Sequence, residues 1–96
     1  MRIRYTPRSL GDLQNIHSYI AQDNPPAADR VVGVIERRVD SLQHSPRLGY
    51  PSDDSTIRVL LAIPYPYRIY YPIADDEIEI VHIRHMARRP PTAADL

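Results

Sequence analysis

The spacing of apolar residues changes once along this 96-residue chain, near Thr56, and that change constrains the fold more than any motif. Upstream, Leu10, Leu13, Ile16 and Ile20 recur at helical spacing with Tyr19 alongside. Pro7-Arg8-Ser9 opens this helix, with Ser9 expected as its cap and Asp12 in its first turn. Gln22-Asp23-Asn24-Pro25-Pro26 stops it, and the same segment starts a second helix: Asn24 suits the cap and Pro25 the first helical position. Ala28, Val31, Val32, Ile35, Val39 and Leu42 form that helix's apolar stripe to about Leu42, while Glu36, Arg37, Arg38 and Asp40 fill much of its remaining surface. So short a connection predicts an antiparallel helical hairpin.

Downstream the segments read as strands. Ile57 to Ile63 is the first, broken by Pro64-Tyr65-Pro66; Tyr67-Arg68-Ile69-Tyr70-Tyr71 is the second. Ala74-Asp75-Asp76 reads as a hairpin turn, and Glu77 to His85 as the third and longest strand. Arg2-Ile3-Arg4-Tyr5 alternates polar and apolar, which predicts a short opening strand, and His44 to Asp54 is loop by composition. Helices followed by strands define an α+β chain: a short N-terminal strand, a two-helix antiparallel hairpin, then an antiparallel sheet of three further strands with both helices on one face. Residues 1–96 are expected to form one domain, with 86–96 an extended or disordered tail carrying Pro90-Pro91.

Composition narrows the chemistry. Without cysteine there is neither a disulfide nor a thiolate ligand. No apolar run approaches the roughly 20 residues that span a bilayer, and Met1-Arg2-Ile3-Arg4-Tyr5 lacks the apolar core of a signal peptide. A soluble cytoplasmic protein, not bound to membrane, is the expectation. Twelve basic and twelve acidic residues leave no overall field for nucleic acid. Every basic residue other than histidine is arginine, so anion recognition here uses guanidinium forks.

The polar residues of interest lie in the strands. Arg58, Arg68 and His85 fall on three successive strands, followed by Arg88 and Arg89. Arginines on neighbouring strands can grip phosphate oxygens, and a histidine beside them can move a proton near neutral pH. Arginines on a sheet face are equally consistent with plain solvation. His82 and His85, three apart on a strand, point to opposite faces and form no metal set; no cofactor is expected. The tyrosines Tyr65, Tyr67, Tyr70 and Tyr71 suit cover of the core and sheet edge, base stacking, or an aromatic anchor for a partner.

Taken in order, the segments Asp12 to Ala21, Asn24-Pro25-Pro26-Ala27-Ala28, Pro46-Arg47-Leu48-Gly49, Arg58-Val59-Leu60, Tyr65 to Tyr71 and Ile80 to Arg88 resemble the RelE/ParE superfamily of toxins from type II toxin–antitoxin pairs. The resemblance spans roughly residues 2 to 90. It implies a cognate antitoxin whose segment folds on binding, docking in the groove between helical hairpin and sheet. Leu13, Ile20, Val32 and Ile35 are its candidate apolar contacts.

The superfamily divides by target. In a RelE-type reading, with ribosome and messenger RNA as partners, Arg58 and Arg68 bind phosphate and His85 is the acid or base of an endonuclease. The lysines of that branch are absent, and Met86 follows His85 where a tyrosine often stands. In a ParE-type reading, which His85-Met86-Ala87-Arg88 resembles more, the target is DNA gyrase. Arg68, His85, Arg88 and Arg89 are then contact or structural residues in a toxin–antitoxin hetero-oligomer. A catalytically inactive binding module of the same fold is the third possibility.

Overall fold

Helix α1 (Pro7–Ala21) begins ahead of the position Ser9 suggests. A computed structural model describes residues 1–96, the side chain of Ala93 apart, and in it Thr6 is the cap. The Thr6 hydroxyl oxygen accepts the Ser9 amide at 3.1 Å, and Pro7 takes the first helical position, where its missing N–H costs nothing. Ser9 is instead fully buried, its hydroxyl donating to the Thr6 carbonyl, and Asp12 lies beyond the first turn. Helix α2 (Pro25–Ser41) starts as expected, with Asn24 Oδ1 accepting the Ala27 amide at 3.1 Å.

Six strands follow the predicted class with two departures: β1 (Arg2–Tyr5), β2 (Tyr50–Pro51), β3 (Ile57–Leu61), β4 (Tyr67–Pro72), β5 (Glu77–Ile80) and β6 (His82–His85). The first departure is β2, a two-residue strand within the segment read as loop, which pairs with Val59 and Arg58 of β3. The second is the break in the long third strand at Val81. Tyr70 accepts the Val81 amide at 3.0 Å and also lies opposite His82, so two successive residues face one, as in a β-bulge. The extra residue shifts the alternation: Ile78 and Ile80 are buried in the core, and the next residue to join them is Ile83. It also lets the two halves serve different partners. β5 pairs in parallel with β1, and β6 pairs antiparallel with β4 in the order β2-β3-β4-β6.

The hairpin covers one face of this sheet. Val31, Ile35, Val39 and Leu42 of the second helix interlock with Leu60, Ile69, Tyr71, Ile78, Ile80 and Ile83. Arg38 Nε donates to the Leu61 carbonyl at 3.0 Å, tying α2 to β3. Tyr5 packs beside Glu36 and Asp40; its burial first, and those two carboxylates second, push its hydroxyl up to about 12. Because the folded value lies above the unfolded one of about 10, any stability from keeping Tyr5 neutral is intact below pH 10 and is lost as pH rises toward 12. Burial raises Tyr67 and Tyr70 as well, so an absorbance titration should find several tyrosines ionising late, and Tyr5→Phe should remove the step near 12.

The opposite face carries a smaller cluster, Ile57, Val59 and Tyr70, against which Val81 and Leu96 pack. The tail returns across it. Asp95 in a short 3-10 turn (Ala93–Asp95) accepts the Thr92 amide at 2.8 Å, and the Arg8 guanidinium donates to the Asp95 carbonyl.

Candidate functional site

Strand register decides what the arginines can do. Arg58 lies opposite Tyr71 and His85 opposite Tyr67, so both share the parity of the core-facing residues. Arg68 lies opposite Leu61 and Arg84, with Tyr70 two residues on, and so belongs to the other face. Arg58 and His85 are also separated by the four residues from Tyr71 to Tyr67, about 13 Å along the strands. No single phosphate reaches all three, and the nuclease constellation expected from their adjacent strands does not assemble.

Each of the three also has a local partner. The Arg58 guanidinium donates to the backbone carbonyls of Gly49 and of Arg47, the latter at 3.1 Å, clasping the 46–49 loop. Arg68 donates to the Met86 carbonyl at 3.2 Å. The His85 ring meets Tyr67 edge-on, centroids 5.1 Å apart, and its Nδ1 accepts the Ala87 amide at 2.9 Å. Arg88 and Arg89 are exposed.

The four apolar candidates for an antitoxin contact divide in the same way. Leu13 and Ile35 are 8% and 0% exposed and belong to the core, because both helical stripes turn onto the sheet. Neither offers a partner a surface. Ile20 and Val32 are half-buried at the core's margin. The exposed apolar side chains of the helical layer are others, Leu10 and Tyr19.

A pair 70 residues apart occupies the junction of helix and sheet. Asp12 Oδ2 accepts both His82 Nδ1, at 2.7 Å, and the Ile83 amide, at 2.9 Å. The carboxylate thereby places the ring hydrogen on Nδ1 and closes part of the open edge of β6, an edge that would otherwise present unpaired backbone. The imidazole is 5% exposed and stacks against Tyr70, centroids 6.1 Å apart, and its Nε2 has no hydrogen-bond partner among the described residues. The sequence placed His82 away from His85 but carried no signal joining it to Asp12. Between α1 and β6, this pair floors a groove of about 570 Å³.

Besides the Arg58 clasp, the loop after α2 is held by a buried phenol. Tyr71 Oη accepts the Gly49 amide at 3.0 Å and donates to the Pro46 carbonyl at 2.9 Å. Tyr71→Phe should leave both groups without a partner and cost about 1–3 kcal/mol, measurable by urea unfolding; a loss under about 0.5 kcal/mol would refute the pinning role. Among the described residues no group of three or more His, Cys, Asp or Glu is placed to hold a metal.

A helical hairpin on one face of a four-stranded antiparallel sheet, beside a parallel pair formed by β1 and β5, is the architecture expected of the RelE/ParE toxins. A sequence model described as "ParE toxin of type II toxin-antitoxin system, parDE" matches residues 3–90, and the chain belongs to that family. It is 40% identical over 90 residues to "Putative toxin Y4kP" of Sinorhizobium fredii, covering 94% of this chain and 93% of that one. It is likewise 40% identical over 87 residues to "Toxin RelE2" of Caulobacter vibrioides, covering 91% and 97%. Among solved structures it matches that titled "Chromosomal ParDE TA system from P. aeruginosa" with a TM-score of 0.80 at 26% identity, over 88% of this chain and 95% of that one. The YoeB dimer from Staphylococcus aureus, at 16% identity and a TM-score of 0.60 over the same shares, agrees in fold alone. The protein is a toxin of a type II toxin–antitoxin system.

Proposed function

We propose that this toxin stops growth by binding DNA gyrase, in the cytoplasm, and that a cognate antitoxin neutralises it. The observation that carries the reading is the failure of Arg58, Arg68 and His85 to converge. Cleavage of RNA at this sheet needs groups that activate a hydroxyl and stabilise the phosphorane around one phosphate. Here the candidates lie on two faces, and each arginine is engaged with backbone carbonyls. A balanced charge of 12 against 12 also suits a protein target better than a ribosome. Arg88 and Arg89, exposed beyond the last strand, are the contacts we assign to the target. Ile20 and Val32, which keep part of their surface, are assigned to the antitoxin.

The test is gyrase supercoiling with purified toxin, run beside cleavage of messenger RNA on translating ribosomes. Loss of supercoiling, or accumulation of cleaved DNA, with intact RNA is the expected result. Cleaved RNA with normal supercoiling would overturn it and make this an endonuclease. Production without an antitoxin should arrest growth; harmless high-level production would show instead a binding module that has lost toxicity.

A further inference from the structure

The turn between β3 and β4 puts four apolar side chains in a row at the end of the hairpin. Ile63, Pro64 and Pro66 are exposed and Tyr65 is half-buried. Ile63, at 63%, is the most exposed large aliphatic side chain among the described residues. Such a run gains nothing from standing in water, and a fold that keeps one has a use for it. We infer that this tip is the apolar anchor of the toxin's contact with its target, with Ile63 entering an apolar pocket bordered by carboxylates on gyrase. The inference rests on the gyrase reading and adds to Arg88 and Arg89 the side chain that buries area.

The tip is built to hold its shape. Ala62 and Tyr67, both buried, close it, the Ala62 amide donating to the Tyr67 carbonyl at 3.0 Å. Within it the Tyr65 amide donates to the Ala62 carbonyl and the Tyr67 amide to the Tyr65 carbonyl, each at 2.9 Å. Pro64 and Pro66 fix two φ angles and remove two donors that a partner would otherwise have to satisfy. Tyr65 packs on the core and roots the turn, while Ile63 stays outside. An apolar group already fixed in place loses little freedom on binding, which suits a single side chain to anchor an interface.

Basic charge stands beside it. The Met86 amide donates to the Pro66 carbonyl at 2.7 Å, and the Met86 carbonyl accepts Arg68 Nη1, so the chain leaving β6 is fastened to the base of the tip. The Arg88 amide turns back to the His85 carbonyl at 3.0 Å and keeps its side chain near that junction. Arg88 and Arg89 are exposed and form no ion pair among the described residues. An apolar centre with a free basic rim complements a pocket edged by carboxylates. Nucleic acid would meet the arginines but leave Ile63 in water. A second copy of this chain, joined tip to tip, would set the arginines against their own kind.

The experiment compares the parent chain with Ile63→Asp, Ile63→Ala and Leu48→Asp, the last a matched change at an exposed apolar position in the 46–49 loop. All three should melt within a few degrees of the parent. Ile63→Asp should weaken inhibition of supercoiling about tenfold or more and abolish growth arrest when produced without an antitoxin. Ile63→Ala, which adds no charge, should act in the same direction and decides the matter if aspartate disturbs the turn. Leu48→Asp should match the parent. Full inhibition by folded Ile63→Asp, or an equal loss in Leu48→Asp, would overturn the inference and leave the gyrase reading standing. If the parent leaves gyrase untouched but loses growth arrest through Ile63→Asp alone, the gyrase reading falls and the tip remains the contact with a different target. A parent dimer that Ile63→Asp converts to an equally inhibitory monomer would make the tip a self-association surface instead. A parent chain that neither arrests growth nor inhibits gyrase overturns both.

Discussion

Asp12→Ala should lower the unfolding free energy by about 2–4 kcal/mol, a large share of what a domain of this size possesses. Nothing of the apolar core changes in this variant. What changes is that the largely buried His82 ring and the Ile83 amide lose their shared acceptor. Each stranded donor costs about 1–3 kcal/mol, and helix α1 loses its polar tie to the edge of β6. Asp12→Asn retains one acceptor oxygen and should cost clearly less. Urea unfolding followed by circular dichroism measures both. An alanine variant within about 0.5 kcal/mol of the parent would mean that the pair is incidental and that packing alone holds α1 against the sheet.

Gly49→Ala should be comparably damaging, for a steric reason. A methyl group at this position would stand 2.5 Å from the Val59 carbonyl oxygen and 2.7 Å from Tyr71 Oη. The first is backbone in a paired strand and the second is fixed by its own hydrogen bonds, so neither yields cheaply. Moving the loop away instead breaks the Tyr71 bonds and the Arg58 clasp together. A loss of about 2–4 kcal/mol is expected from overpacking plus broken hydrogen bonds. Gly11→Ala is the matched control: its added methyl meets nothing within 4 Å in mid-helix, and the change should stabilise by about 0.5–1 kcal/mol. If the two variants unfold alike, close approach at Gly49 is not what holds the loop.

Much of the architecture was legible because it rests on local rules. Asn24 and Pro25 mark the start of α2 through geometry confined to four residues, and the apolar stripes of both helices follow from a period of 3.6. The Ser9 reading failed within the same rules, since Thr6 can also cap and Pro7, favoured at the first helical position, decides for it. The bulge at Val81 was also present as an irregular alternation, Ile78, Ile80, then Ile83. Reading it required knowing that Tyr70 lay opposite.

The site was less legible, because its meaning depends on parity and register. Arg58 and Arg68 are ten residues apart in sequence, and either shared or opposed faces fit the spacing until the turn between their strands sets which residues pair. Leu13 and Ile35 looked like contacts for a partner because apolar identity does not distinguish a core from an interface.

The sequence by itself determined the family, the succession of helical hairpin and then sheet, and the faces the helices bury, since each follows from residues close in the chain. Only the tertiary structure decided that the three expected catalytic residues stay apart and that Asp12 meets His82 across 70 residues. Those are long-range juxtapositions, set by strand register and by where α1 settles against the sheet, and no local pattern of residues encodes them.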